Sequence, residues 1–213
     1  MSELSAKRIA NCKGVPGTLG ALAWTRGDRQ PVLLSTWHVL FGQGAGEQGT
    51  VWLVEENGGG RRFHAAGRTL YGRIGAVRMD GDEVYVDCAV SSCAVPFDGM
   101  PRFSGTAAAE PGSRVWKTGG ATGTTEGVVI DASYPDLACL GEWTCPAPRQ
   151  LLVAPGGGAA AFSAEGDSGA VLVNERNEAV GLLWGTNARG EGVACPIEPV
   201  LRALSIDLEI QRG

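Results

Sequence analysis

The sequence predicts an all-β protein: two packed six-stranded antiparallel β-barrels followed by a short C-terminal helix. Three observations carry this expectation. Strand-like runs recur along the whole chain, most of them too short for a helix and bounded by Gly, Asp, Asn or Pro. The 33 glycines of the 213 residues are scattered without a period, as many turns between short strands require. One stretch alone, near the C-terminus, carries a helical repeat. Closing each sheet into a barrel removes the exposed edges that such strands would otherwise present.

In the first half the runs are GALAWT (20–25), PVLLST (31–36), TVWLV (50–54), RRFHAAG (61–67), IGAVRM (74–79) and EVYVDCAV (83–90). Pro, Gly and small residues then accumulate over 96–112, which marks a break. We therefore expect a first barrel within residues 1–100 and a second within 101–213. The second-half runs are SRVWKT (113–118), EGVVIDA (126–132), QLLVA (150–154), GAVLVN (169–174), EAVGLLWG (178–185) and GVACP (192–196). In PIEPVLRALSI (196–206), Ile197, Val200, Leu201 and Leu204 fall on one helical face and both prolines sit at the start. That helix is expected to pack on the second half.

Bulk composition narrows the function classes. Hydrophobic residues make up 44% and charged residues 19%, ordinary values for a globular protein. A net charge of −5 without a basic run argues against a nucleic-acid partner. No apolar stretch at the N-terminus resembles an export signal, and no run approaches a membrane span. The expectation is a cytoplasmic protein with no membrane partner and reduced thiols at Cys12, Cys88, Cys93, Cys139, Cys145 and Cys195. Cys139 and Cys145, flanking a short loop, are the pair closest to bridging. The cysteine spacings match no zinc ribbon, so neither a metal site nor a cofactor is expected.

The chemistry-bearing stretch is SAEGDSGAVLV (163–173). A "GDSG" turn is by itself only a moderate signal, because Gly, Asp and Ser favour turns anyway. It gains weight if a base and a shielded acid accompany it. The chain has two histidines. His64 lies beside two arginines and a glycine-rich loop and reads as a surface residue. His38 follows an apolar strand in PVLLSTWHVLFG, where a base can be held firmly. Asp87 interrupts the apolar strand EVYVDCAV, an unusual place for a carboxylate. Strand alternation also allows Asp87 on a solvent face, so both readings stand; Asp80, Asp82 and Glu83 sit in a polar loop and read as solvated. A serine hydroxyl needs a base to become a nucleophile, and a carboxylate on the far imidazole nitrogen fixes the tautomer. Backbone N–H groups of Gly166 and Ser168 would then converge on a developing oxyanion.

In the order His38, Asp87, Ser168, the stretches STWHVL, VDCAV and EGDSGAVLV resemble those of the trypsin-like (chymotrypsin-fold) serine proteases. They are most similar to the compact bacterial branch that includes glutamyl endopeptidase-like and alpha-lytic-like enzymes. VWKTGGATGTTEGVV (115–129) and NERNEAVGLLWGTN (174–187) add to the likeness, which runs from about Gly17 to Leu204. The resemblance implies a serine endopeptidase with a Ser-His-Asp triad, acting on a protein or peptide substrate. A catalytically silent peptide-binding module and a small-ester hydrolase are the alternatives. An active cytoplasmic protease further implies restriction by narrow specificity, an inhibitor or a regulatory partner.

The departures from the family pattern are specific. Val39 stands where the animal enzymes carry a cysteine, and no "IVGG"-type start supplies an amine to pair with Asp167. By motif position, the alpha-lytic-like solution would make Lys117 the internal partner of Asp167; a strand-end surface lysine is an equal reading. The resemblance also maps a specificity pocket onto Phe162 at the base, Leu183, Trp184 and Gly185 along one wall, and Gly192 on the other. Phe162 reads equally as a core aromatic. Such a pocket would be neutral unless Glu165 or Glu191 reaches into it.

Overall fold

A computed structural model describes residues 7–42, 48–57, 60–96, 99–140 and 143–211. The first half contributes β1 (Arg8–Ala10), β2 (Pro16–Thr18), β3 (Ala21–Thr25), β4 (Pro31–Ser35), helix α1 (Trp37–Phe41), β5 (Thr50–Asn57), β6 (Gly60–Met79) and β7 (Asp82–Ser92). The second half contributes β8 (Gly105–Thr106), β9 (Arg114–Gly119), β10 (Gly123–Leu140), β11 (Trp143–Pro155), β12 (Val171–Val173), β13 (Glu178–Thr186) and β14 (Gly192–Pro196). Helix α2 (Ile197–Leu204) and β15 (Ile206–Leu208) follow.

The strands form two sheets. The first runs β15-β3-β4-β7-β6-β5-β1-β2. In the second, β12-β9-β10-β11-β14-β13 closes on itself through a β12–β13 pairing, and β8 adds to β13 in parallel. Among the described residues, the second sheet is thus a closed six-stranded ring, whereas the first has eight strands. Its extra members are the short β1 and β2 and the last strand, β15, which leaves the second half to pair with β3.

Two expected strands, 61–67 and 74–79, are one continuous β6. The one glycine between them, Gly72, does not mark a turn. A Cβ on Gly72 would lie 2.5 Å from the Cβ of Ala89 and 2.8 Å from the Trp37 ring, so glycine there permits a close crossing. A bulge between Thr69 and Tyr71 bends the strand while it stays paired to β7.

Helix α1 is an addition to the expected elements; five residues are too few to display a helical repeat. Helix α2 buries Ile197, Val200, Leu201 and Leu204, as the periodicity predicts, and ends at Ser205 in the left-handed conformation. Its apolar face joins Val86, Val90 and Leu208 as well as Leu182, so it packs on both sheets rather than on the second alone. The ring encloses its own core of Val115, Val129, Leu151, Phe162, Leu172 and Leu183. Among the described residues, no helix is long and apolar enough to cross a membrane.

Candidate active site

Strand β7 is buried on both faces from Val84 to Ser91, which removes the solvent-face reading of Asp87. A fully buried carboxylate needs donors, and Asp87 has them. Its Oδ1 accepts the N–H groups of Trp37 at 2.7 Å and His38 at 3.2 Å, the opening donors of helix α1. Its Oδ2 lies 2.6 Å from Nδ1 of His38. Asp87 therefore caps the helix that carries His38 and orients its ring at once. Nδ1 is the proton-bearing nitrogen in this arrangement, which leaves Nε2 free to act as a base.

The His38 side chain is 18% exposed. Burial opposes its protonation and is the largest single influence, but the charge and the hydrogen bond of Asp87 together outweigh it. The His38 pKa stands above its ordinary value of 6.5. His64, by contrast, is an exposed residue whose Nε2 lies 3.2 Å from Glu55, as its sequence setting suggests.

Ser168 lies between β11 and β12, in a loop fixed by its neighbour Asp167. That fully buried carboxylate accepts N–H groups from Ala121 at 2.8 Å, Thr122 at 3.1 Å and Ala164 at 3.0 Å, and the Thr122 hydroxyl at 2.7 Å. Nζ of Lys117, equally buried, stands 3.0 Å from its Oδ2. Lys117 is thus the internal partner of Asp167 rather than a surface lysine. Burial pushes the Asp167 pKa up, but the Thr122 and Lys117 hydrogen bonds and the lysine charge prevail and hold it below the usual carboxylate value. Gly166, at φ +97°, occupies a region that side-chain-bearing residues seldom enter. Among the described residues, the backbone N–H groups of Gly166 and Ser168 have no internal acceptor.

His38 and Ser168 line one cleft of about 420 Å³, walled in part by Leu137, Glu165, Trp184 and Gly185. The Ser168 hydroxyl donates to the Trp184 carbonyl at 3.2 Å, so it turns toward the wall rather than toward Nε2. The mapped specificity residues divide. Trp184 and Gly185 face the cleft, but Phe162 and Leu183 are fully buried in the ring's core and do not line it. Gly192 is also buried, and the Phe162 ring fills the space its side chain would take: a Cβ there would lie 2.5 Å from Phe162 Cδ1. The expected pocket base is core packing. Of the two acids that threatened a neutral pocket, Glu165 lines the cleft, whereas Glu191 accepts a hydrogen bond from Asn187 Nδ2 at 2.7 Å.

Two contributors escape sequence reading. Gln150 is fully buried. Its Oε1 accepts the Trp184 indole N–H at 2.7 Å, and its Nε2 donates to the carbonyls of Tyr85 at 3.0 Å and Pro148 at 2.9 Å. Thr122 donates to Asp167 from within a Gly- and Thr-rich turn. Nothing in composition or spacing separates either from an ordinary polar residue. All six cysteines are free, Cys139 and Cys145 included. Among the described residues, no group of three or more His, Cys, Asp and Glu side chains is placed to hold a metal ion.

No protein-family model and no curated protein matches this chain. Solved structures do. A Nocardiopsis protease, NAPase, superposes with a TM-score of 0.62 at 18% identity, over 97% of this chain and 98% of its own. Protease A of Thermobifida fusca gives 0.58 at 17% identity, over 98% and 99%. A glutamic-acid-specific serine protease, which uses a histidine triad in substrate binding, gives 0.59 at 16% identity, over 95% and 97%. The chain has the fold of the chymotrypsin-like bacterial serine proteases.

Proposed function

We propose that this chain is a serine endopeptidase that cleaves peptide bonds through an acyl-enzyme intermediate. One observation carries the reading: a buried Asp87 holds Nδ1 of His38 at 2.6 Å while His38 and Ser168 line one cleft. Ser168 is the nucleophile. In the reaction its hydroxyl leaves the Trp184 carbonyl and gives its proton to Nε2 of His38 as Oγ attacks the substrate carbonyl. Asp87 stabilises the imidazolium so formed, and that imidazolium returns the proton to the leaving amine. The N–H groups of Gly166 and Ser168 receive the oxyanion; a donor of this kind contributes about 10²–10³ in kcat. Water then enters by the same route and releases the acyl group.

The substrate is a protein or peptide laid along Trp184 and Gly185. The histidine triad of the glutamic-acid-specific relative has no counterpart in composition, because this chain has two histidines, with His38 at the site and His64 on the β5–β6 hairpin. In the same reading the enzyme acts on a restricted set of targets in the cytoplasm, and the six free thiols support a reducing compartment.

The test is labelling with a fluorophosphonate probe. The purified parent should label and cleave a denatured protein substrate, and Ser168→Ala should do neither. A folded parent that fails both assays would overturn the enzyme in favour of a silent peptide-binding module.

A further inference from the structure

We infer that Thr18, a residue of the first sheet, is a positioning residue for the oxyanion-binding loop of the second. The inference rests on the serine-endopeptidase reading above. Thr18 ends β2 and is fully buried. Its backbone N–H donates to the Ser168 carbonyl at 2.8 Å. Its hydroxyl donates to the Gly166 carbonyl at 2.9 Å and accepts the Gly120 N–H at 2.8 Å. Its own carbonyl accepts the Ser35 hydroxyl at 2.8 Å, and Ser35 ends the strand that leads into the His38 helix.

The consequence follows from which groups are engaged. Thr18 takes the carbonyls of Gly166 and Ser168, the two residues whose N–H groups have no internal acceptor among the described residues. The Thr18 hydroxyl fixes the Gly166–Asp167 peptide and the Thr18 N–H fixes the Ser168–Gly169 peptide, so the chain is pinned on both sides of the plane that carries the Ser168 N–H and directly after the Gly166 N–H. Gly166 needs such a restraint, since a glycine at φ +97° rotates more freely than any other residue. The Gly120 N–H also ties this hydroxyl to the turn whose next two N–H groups bind Asp167. Gly169 completes the seam: a Cβ there would lie 2.2 Å from both the Thr18 carbonyl and the Ser35 hydroxyl. Thr18 thus touches no substrate and acts through Gly166.

Thr18→Val keeps the shape, removes the hydroxyl and retains the backbone bond to Ser168. Thr18→Ser keeps the hydroxyl. On one peptide substrate, Thr18→Val should lose about 10–100-fold in kcat, part of the effect of losing an oxyanion donor outright. KM should stay within about 3-fold and the pH midpoint should not move, because His38 and the cleft walls are untouched. Thr18→Ser should recover most of the lost kcat. An active parent whose Thr18→Val variant keeps kcat, changes mainly in KM, or is not rescued by serine overturns the Thr18 assignment alone. If Thr18→Val does not fold, Thr18→Cys takes its place, with the same split expected from its weaker hydrogen bond. A folded parent that neither labels with a fluorophosphonate nor cleaves overturns the underlying reading, and the Thr18 assignment with it.

Discussion

Replacing Lys117 by Met removes the cation of the buried pair behind the Ser168 loop. Methionine matches the lysine stem in length and removes only the ammonium. At 3.0 Å and an effective dielectric constant of 20, the attraction to Asp167 is about 5.5 kcal/mol before the cost of desolvating the ammonium. Removing one partner of a buried pair typically costs about 3–5 kcal/mol, because the other charge is left behind. Asp167 keeps the N–H groups of Ala121, Thr122 and Ala164 and the Thr122 hydroxyl, which places the expected loss near the lower end, about 3 kcal/mol. Urea unfolding at neutral pH, followed by tryptophan fluorescence, measures it as a fall in midpoint at constant slope. The sign of the pH dependence is fixed by Asp167. Its folded pKa is depressed in the parent, so it contributes stability above the unfolded carboxylate pKa that is lost as pH falls through the folded value. Without the lysine charge that pKa rises, the variant's carboxyl takes up a proton sooner, and the gap between parent and variant narrows in acid. Adding Asp167→Asn to Lys117→Met should recover part of the loss. A single variant within about 1 kcal/mol of the parent at neutral pH, or a gap that widens in acid, would refute the reasoning.

Two further expectations follow from the same geometry. The base form of His38 is the neutral imidazole, so kcat/KM should rise with pH through a midpoint above 6.5. Asp87→Asn should lower that midpoint and cost about 10⁴ in kcat; a parent midpoint at or below 6.5 contradicts the raised His38 pKa. For the thiols, titration with a disulfide reagent should count six in denaturant. In the native protein the exposed Cys12 and Cys139 should react first, while Cys88 and Cys195, buried and beside Asp87, should be protected, since burial pushes both thiols up. A denatured count of four would show a disulfide where the structure has none.

The parts of this molecule legible in the sequence are those in which local pattern and tertiary role coincide. Turn-bounded apolar runs became strands, and the spacing of Ile197, Val200, Leu201 and Leu204 became the buried face of α2. Alternation could not place Asp87, because β7 is covered on both faces and the two-residue period then carries no information. The separation of 61–67 from 74–79 did not hold, because Gly72 between them serves a close crossing within one strand. Two of the pocket positions drawn from resemblance, Phe162 and Leu183, lie in the ring's core for a related reason. Phe162 and Leu183 satisfy a motif position and a core equally well, and packing around Gly192 decided for the core.

What the sequence leaves least visible is the seam between the two sheets, and the proposed chemistry depends on it. Asp87 and His38 belong to the first sheet and its helix, Ser168 to a loop of the second, so no local pattern sets their separation. The apolar core shared by the two sheets, which includes Val86 and Val90 from the first and Leu182 and Ala147 from the second, resists separation but is non-directional and tolerates sliding. Hydrogen bonds do not: they weaken steeply with angle and span a few tenths of an ångström. Among the described residues, buried bonds that cross the seam include those of Thr18 to Gly166, Ser168 and Gly120, of Gln150 to Tyr85, and of the Asp87 N–H to Cys195 Sγ at 3.3 Å. A misplacement of about 1 Å between reacting groups can cost 10²-fold in rate. Fold stability can therefore reside in the apolar cores while catalytic register resides in these few polar side chains, and substitutions at Thr18 and Gln150 should separate the two.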